Sequence, residues 1–342
     1  MGRVGPLAAI AAKRLSAPAL FLVPLRNNND NKLYMGISSD GVTWTFTATT
    51  FTMNVTDSTW GRQFISYAPE TKICMVCGSA AFGILIGAVS ETGVTFVNPV
   101  NPWKTMSGSG DPCMTSCWTG TKWLAGGPLV AGFSIYQSLD DGMTWTGIAS
   151  TSSGFGPNVS SIVKNKTTGT IYAAGGQGAS NYIYRSVDEG VNWTKVFAAP
   201  MNDYCRSVAY NGSVVCVAGD GGLVTSLDDG VTWTGTRYVN GQNIYSVTYL
   251  QEGVFIVAAN HTTIWTSPDG VTWTAIPQTQ FVIFYNFCSD GDGRIVFRAF
   301  IGGGLLVSAT YPITGGGSWG TDVNPSGLAL QRSQGCLYTL TA

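Results

Sequence analysis

Eight side chains suited to ligand binding lie in segments between predicted strands. They are aromatic, arginine and aspartate residues, namely Trp60, Arg62, Trp103, Asp203, Tyr204, Arg206, Arg237 and Tyr238. Aromatic rings stack on sugars and pack against proteins, while arginine and aspartate bind carboxylates and hydroxyls. The sequence therefore predicts a binding surface for a glycan or a protein. The alternative is that these side chains only fill and cap the space where their loops meet.

Groups for metal or acid–base chemistry are few. His261 is the only histidine, and it falls in a predicted hairpin turn. The pairs Cys74/Cys77 and Cys113/Cys117 could form a zinc site, but positions i and i+3 of a strand face opposite sides of the sheet. Cys74 and Cys77 also lie in an apolar run, where a reduced thiol behaves as a small hydrophobe. We predict no metal and no cofactor.

Composition narrows the class of protein. The 342 residues include 44 Gly and 11 Trp, only 11% are charged, and the net charge is −1. Many glycines and few charges are typical of an all-β protein with short strands and frequent turns. Without a basic excess there is no predicted nucleic-acid partner. No 18-residue apolar stretch occurs, so no membrane span is predicted.

One repeated unit must position the candidate residues. Its fullest form is Ser226-Leu-Asp-Asp-Gly-Val-Thr-Trp233, and decayed copies end at Phe96 and Trp319. The closing aromatics of the seven copies are 52, 49, 48, 40, 40 and 46 residues apart. Each step has room for about four short strands, which is one blade of a β-propeller. The sequence predicts an all-β, seven-bladed propeller of four-stranded antiparallel blades.

Each unit predicts a tight turn followed by a buried ring. Glycine supplies the positive φ, and the Asp carboxylate and Ser hydroxyl accept hydrogen bonds from turn amides. The Trp buries its ring against the neighbouring sheet. The predicted structural pairs are Asp40 with Trp44, Asp140 with Trp145, Asp188 with Trp193, Asp228 with Trp233, and Asp269 with Trp273.

These units resemble the Asp-box (BNR) repeat family, whose pattern is Ser-x-Asp-x-Gly-x-Thr-Trp. The copies beginning at Ser138, Ser186 and Ser226 follow the pattern except for Asn192 in place of Thr, whereas two shorter copies lack one residue between Asp and Gly. The resemblance covers nearly the whole chain. It implies a β-propeller with its boxes on the rim, away from any active site. The family includes sialidases, sorting receptors, assembly factors and viral structural proteins, so it implies no single function.

A sialidase-like member would need an arginine cluster, a tyrosine nucleophile assisted by glutamate, and an aspartate acid/base. The family's Arg-Ile-Pro element is absent, since Phe21-Leu-Val-Pro-Leu-Arg26 has Pro and Arg in the wrong order. The four glutamates lie in boxes or predicted turns, at Glu70, Glu91, Glu189 and Glu252. We therefore predict that the protein is not an enzyme, with a sialidase-like or other glycan-active hydrolase as the alternative.

The two ends of the chain differ from the repeats. Residues 1–18 carry Arg3, Lys13 and Arg14 and an Ala/Leu/Ile stretch, and they are interpreted either as a frayed terminus or as an anchoring arm. Residues 19–342 form the predicted propeller. Its first repeat has three predicted strands and its last repeat has strands to spare. A C-terminal strand is therefore predicted to complete the first blade and close the ring.

The functional prediction is a non-enzymatic structural or adhesive module. The chain is similar to propeller proteins of bacteriophage virions, which implies a place in a tail, fibre or capsid decoration. The predicted partners are other virion proteins, contacted through the arm within an oligomeric assembly, and a host surface glycan. The predicted location is the virion, with a secreted or cytoplasmic protein as the alternative. An intracellular assembly factor is the third reading.

Overall fold

The computed structural model describes the chain from Leu20 to Thr339 with gaps. The described residues are 20–27, 29–52, 65–79, 83–90, 92–104, 113–149, 155–176, 181–201, 204–236, 244–300, 304–312, 321–322, 330–331 and 337–339. The predicted arm, residues 1–18, lies outside them. All regular structure in the described part is β-strand, and it forms seven blades arranged in a ring. The predicted fold is therefore confirmed.

The first three blades contain the first eleven strands. Blade 1 has β1 (Leu20–Asn27), β2 (Lys32–Ser38) and β3 (Thr45–Thr52). Blade 2 has β4 (Ile65–Ala68), β5 (Ile73–Ser79), β6 (Gly83–Ser90) and β7 (Gly93–Val97). Blade 3 has β8 (Thr115–Trp118), β9 (Trp123–Val130), β10 (Phe133–Ser138) and β11 (Thr146–Gly147).

Blades 4 and 5 repeat the same four-stranded order. Blade 4 has β12 (Val159–Lys164), β13 (Ile171–Gly175), β14 (Tyr182–Ser186) and β15 (Thr194–Ala198). Blade 5 has β16 (Cys205–Asn211), β17 (Val214–Gly219), β18 (Gly222–Ser226) and β19 (Thr234–Thr236).

The remaining strands form blades 6 and 7 and complete blade 1. They are β20 (Ile244–Leu250), β21 (Val254–Ser267), β22 (Thr274–Ser289), β23 (Arg294–Phe300), β24 (Gly304–Thr310), β25 (Thr321–Asp322), β26 (Leu330–Gln331) and β27 (Leu337–Thr339).

Blades 6 and 7 share one continuous sheet. The early part of β22 pairs with β21, with Thr274 opposite Thr266, and its late part pairs with β23, with Ser289 opposite Ile295. The sixteen-residue strand β22 therefore serves as the outer strand of one blade and the inner strand of the next.

C-terminal strands close the ring, as predicted. β27 pairs antiparallel with β1, placing Thr339 opposite Leu20, and β26 pairs with the other end of β1 at Arg26. The inner position of blade 1 is therefore filled from the far end of the chain. A closed ring leaves no unpaired sheet edge at the junction between first and last blades.

Among the described residues the core forms seven hydrophobic clusters, and each one lies between two neighbouring blades. One cluster joins Phe21 and Val23 of blade 1 to Val296 of blade 7, which completes the circle. Another joins Tyr172 and Ala174 of blade 4 to Val217 of blade 5. The inner and middle strands are therefore buried between blades, whereas outer strands such as β3 are partly exposed.

Each blade runs from the central strand outward, so equivalent turns emerge at the same end of the ring. The turns between third and fourth strands define what we call the box face, formed by turns 38–44, 138–145, 186–193, 226–233 and 267–273. The start of β1 lies at this face too, because Phe21 pairs with Ser38 at the start of the first box. The opposite end, where the chain passes from the fourth strand of one blade to the first strand of the next, is called the loop face.

Candidate functional site

The repeated turn is a closed hydrogen-bond unit, seen most fully in blade 5. The Ser226 hydroxyl donates to Asp228 Oδ1 at 2.8 Å and accepts from the Gly230 amide at 2.8 Å. The Thr232 amide donates to Asp228 Oδ1 at 2.8 Å, and its hydroxyl donates to Oδ2. The Trp233 indole N–H donates to the Gly230 carbonyl at 3.1 Å. Each polar residue of the motif thus satisfies a turn group that would otherwise lack a partner.

The other copies keep this unit with small changes. In blade 4, the Asn192 side-chain amide donates to Asp188 Oδ2 at 2.7 Å, so it replaces the threonine hydroxyl directly. In the shorter box of blade 6, Asp269 Oδ1 accepts from the Val271 amide at 2.9 Å and from the Thr272 amide at 2.7 Å. The predicted role of the Asp and Ser side chains as acceptors of turn hydrogen bonds holds in both lengths of box.

Hydrogen bonding keeps the box carboxyl groups ionised. Bonds from the hydroxyl and amide of Thr232 lower the pKa of Asp228 to about 2. Bonds from the backbone amides of Thr272 and Val271 lower the pKa of Asp269 to about 2 in the same way. These carboxylates act as structural acceptors and are poorly suited to donate a proton near neutral pH.

In the longer boxes the residue before Gly also lies in the left-handed region, which the motif alone does not predict. Asp229 has φ 55° directly before Gly230 at φ 78°. Asp141 and Glu189 occupy the same position, at φ 56° and 59°. Asp tolerates this conformation better than most residues, Glu189 adopts it in blade 4, and the extra residue in the longer boxes is accommodated by it.

Each box also joins its blade to the preceding one. A Cβ added to Gly230 would lie 2.6 Å from Tyr172 Cε1 in blade 4, and one added to Gly142 would lie 2.6 Å from Ile86 Cδ1 in blade 2. The turn backbone therefore packs against its neighbour at a distance that only glycine permits.

Asp229 strengthens the joint between blades 4 and 5. Its carboxylate accepts hydrogen bonds from Thr170 at 2.6 Å, Thr168 at 3.0 Å, Asn165 at 3.1 Å, Tyr172, and Arg185 at 3.1 Å. Burial alone would raise the pKa of Asp229, but hydrogen bonds from Thr170, Tyr172, Thr168 and Arg185 outweigh burial and lower it. All five donors come from blade 4, so this second carboxylate of the box serves to connect blades.

A central channel of about 710 Å³ is lined by the inner strands of blades 2 to 7 and extends to their box-face ends. Small hydroxyl side chains connect these strands. Thr115 accepts from the Ile162 amide at 3.1 Å, Ser161 accepts from the Val208 amide at 3.2 Å, and the Ser207 hydroxyl donates to a carbonyl of the next blade at 3.1 Å. The hydroxyls are used in holding blades together. None of the described channel-lining residues is an arginine.

Arg206 lies at the loop-face end of the inner strand β16, outside the residues that line the channel, and is held by its own neighbours. Its Nε and Nη2 donate to the two carboxylate oxygens of Asp220 at 2.6 and 2.7 Å, and both side chains are about 95% buried. The guanidinium carbon lies 5.3 Å from the centre of the Tyr204 ring and 5.2 Å from that of the Tyr245 ring. We call these four residues the tyrosine–arginine cluster. It presents two half-buried rings held by a buried ion pair.

The other predicted binding residues are placed differently or are not described. Trp103 lies in the core between blades 2 and 3 with no exposed surface, and its indole donates to the Pro128 carbonyl at 3.2 Å. Its ring therefore offers no face to a ligand. Five residues lie outside the described part of the chain, namely Trp60, Arg62, Asp203, Arg237 and Tyr238. Tyr245, at the start of the next inner strand, lies beside Arg206 together with Tyr204.

The described part of the chain contains no metal-binding cluster and no reactive thiol. No group of three His, Cys, Asp or Glu side chains is placed there to hold a metal ion. The seven described cysteines are buried and form no disulfide. Burial raises the pKa of Cys74 and Cys216 to about 12, so these thiols remain protonated. None of the described residues belongs to a helix long and apolar enough to cross a membrane.

These features define the class of protein as a closed, seven-bladed β-propeller with hydrogen-bonded box turns on one face. No protein-family model and no curated protein matches the chain. The resemblance to the Asp-box family therefore stays a prediction from the motif.

Solved structures do resemble the fold. YCF48 bound to D1 peptide superposes with a TM-score of 0.54 at 15% identity, over 77% of this chain and 82% of that one. YCF48 from Cyanidioschyzon merolae gives a TM-score of 0.51 at 10% identity, over 74% and 85% of the two chains. The extracellular domain of the BT4673 one-component system of B. thetaiotaomicron gives 0.54 at 14% identity, over 83% of this chain and 38% of that one. These similarities establish the seven-bladed fold and nothing finer.

Proposed function

We propose that this protein is a non-enzymatic adhesive or structural module that binds its partner through the loop face. The observation that carries the proposal is the tyrosine–arginine cluster at the loop-face ends of the inner strands of blades 5 and 6. Two tyrosine rings fixed around a neutralised guanidinium form a rigid aromatic platform, which loses little side-chain entropy when a partner packs on it. The predicted loop-face residues that lie outside the described part are proposed to extend this platform.

The partner is proposed to be a neighbouring protein subunit, with a host surface glycan as the second ligand that such rings would suit. In support, YCF48, a propeller with the same blade number, has been solved bound to a peptide. The low content of charged residues and the basic arm favour a place in an assembled particle, and we propose a bacteriophage virion as that particle. In such a particle residues 1–18 anchor the propeller to a neighbouring subunit.

A hydrolase is less well supported by the described residues. The guanidinium of Arg206 is occupied by Asp220, so it is not available for the carboxylate of an acidic sugar. A chromogenic sialoside assay on the purified chain tests this alternative, and measurable turnover that survives further purification would overturn the non-enzymatic proposal.

Two measurements test the proposed function. Mass spectrometry of particles purified from cultures of the organism that carries the gene should find the chain in a fixed ratio to the major structural proteins; its absence from intact particles removes the virion part. Cross-linking within those particles should place the partner on the loop face.

A matched pair of variants tests the binding surface. Tyr204→Ala with Tyr245→Ala should weaken partner binding about tenfold or more, as loss of a central aromatic anchor does. Tyr210→Ala with Tyr249→Ala removes two half-buried tyrosines from the same two inner strands at the box-face end, and should leave binding unchanged. Equal losses in both pairs would point to general destabilisation and refute the loop-face assignment.

A further inference from the structure

The box face exposes a regular set of aliphatic side chains. Of the nine large aliphatic residues exposed in the described part of the chain, seven lie on box turns. Six of the seven belong to consecutive blades 3 to 6, with exposed fractions from 49% to 77%: Leu139, Val187, Val191, Leu227, Val231 and Val271. We call the box turns of these four blades the apolar arc. In blade 5, for example, Leu227 lies between Ser226 and Asp228, and Val231 lies between Gly230 and Thr232.

The turn does not require an aliphatic residue after Ser. The Ser and Asp side chains and the Gly amide of each box make its hydrogen bonds, and the residue after Ser takes part in none of them. In the first box this residue is Ser39, which is exposed and polar. In blades 3 to 5 it is exposed and aliphatic, as Leu139, Val187 and Leu227, and a repeated apolar side chain of this kind is typical of a surface that is covered in an assembly.

The arc is also acidic. Its four turns contain seven carboxylates and no lysine or arginine: Asp140, Asp141, Asp188, Glu189, Asp228, Asp229 and Asp269. Among the described residues, Lys164 and Arg185 form ion pairs with two of them, Glu189 and Asp229. A segment that is both aliphatic and basic would therefore complement this surface.

The chain itself contains one such segment. Residues 1–18 carry three basic residues and no acidic one, together with the aliphatic residues Leu7, Ile10 and Leu15. The arm joins the propeller at Leu20, and the start of β1 lies at the box face. Eighteen residues span up to about 60 Å when extended. The arm thus begins on the face that carries the complementary surface and is long enough to reach another molecule.

We infer that residues 1–18 of one copy bind the apolar arc of a second copy. This inference rests on the proposed role of the arm as an anchor to a neighbouring subunit, and it names the surface and the neighbour. Because arm and arc lie on the same face, two copies facing each other about a two-fold axis can exchange arms and close the interface. The arc lies across the ring from the arm's own exit at blade 1. A facing copy can place its arc directly over that exit, whereas the arm's own arc requires the segment to cross the channel mouth.

Sedimentation velocity of the full-length protein tests the inference. The wild-type chain should form a dimer whose dissociation constant rises at least about tenfold on deletion of residues 1–18, or on Leu139→Ser with Leu227→Ser. The matched control is Val100→Ser with Leu129→Ser, two residues of similar exposure, 77% and 52%, that lie at the loop-face end. This control should dimerise as the wild type does. Circular dichroism establishes that each variant retains the fold.

Photo-cross-linking identifies the contact. A photo-reactive phenylalanine replacing Ile10, in a mixture of isotopically light and heavy chains, should yield mixed light–heavy cross-links to the box turns of blades 3 to 6. Cross-links only within single chains would overturn the exchange, as would a wild-type protein that stays monomeric at high concentration.

The variants separate the role of the arm from that of the arc. Loss of the dimer on deletion of residues 1–18 but not in the Leu139/Leu227 variant would show that the arm is an anchor and that the arc is not the surface it binds. A dimer that forms as expected in a chain absent from particles would instead refute only the virion proposal.

Discussion

Substitution of Gly230 by alanine tests whether the repeated turns act as joints between blades. The residue has φ 78°, and a Cβ there would lie 2.6 Å from Tyr172 Cε1. The Tyr172 ring is fully buried and its hydroxyl donates to Asp229, so the ring cannot move aside without breaking that bond. The left-handed backbone costs alanine about 1–2 kcal/mol, and the steric overlap adds about 1–3 kcal/mol. The free energy of unfolding should therefore fall by about 2–5 kcal/mol.

Gly169 supplies the control for this prediction. It has the same φ of 78°, and a Cβ built on it meets nothing within 4 Å. Gly169→Ala should therefore lose only the backbone contribution of about 1–2 kcal/mol. Urea unfolding followed by tryptophan fluorescence measures both variants. Equal destabilisation of the two would show that the backbone conformation accounts for the whole effect, and the proposed joint between blades would be refuted.

Three further predictions concern ionisation and burial. The pKa values of Asp228 and Asp269 are lower in the folded protein than in the unfolded chain, so their contribution to stability is present above about pH 4 and is lost as the pH falls towards 2. The urea concentration at the midpoint of unfolding should therefore drop over that range. The drop should be less steep in a variant in which both residues are replaced by Asn. Arg206→Met should destabilise by about 3–5 kcal/mol because it leaves a buried carboxylate unpaired, and adding Asp220→Asn should recover part of the loss in thermal unfolding. Trp103→Ala should lower the free energy of unfolding by about 3–5 kcal/mol, as for other large buried side chains, and a stability unchanged in urea titration would return Trp103 to the candidate binding surface.

The blade architecture was predictable because the same turn motif is repeated along the chain. Each copy of the turn carries its own acceptors, its own glycine and its own ring, so the motif in blade 5 predicts the geometry in blade 3. The count of copies then gives the number of blades. Closure was predictable for a related reason, since a missing strand at one end and a surplus at the other are visible in the order of apolar runs.

The contacts of individual side chains were harder to predict from the sequence. Trp103 and Arg206 lie in similar polar segments of the sequence, yet one ring is enclosed in the core and one guanidinium is paired in a buried site. Their partners, Pro128 and Asp220, are 25 and 14 residues away, and nothing local indicates those contacts. Burial at such positions depends on how neighbouring blades meet, and a single sequence does not reveal it.

The two faces of the ring differ in how far their sequence is constrained by folding. On the box face, the Ser, Asp, Gly and Trp positions are committed to hydrogen bonds and close packing, whereas the residue after Ser makes none of the bonds of the turn. A polar residue fits there, as Ser39 does in the first box. The aliphatic residues after Ser in blades 3 to 5 therefore point to a requirement outside the single molecule. Since the basic, aliphatic arm leaves from the same face, the simplest source of that requirement is another copy of the chain.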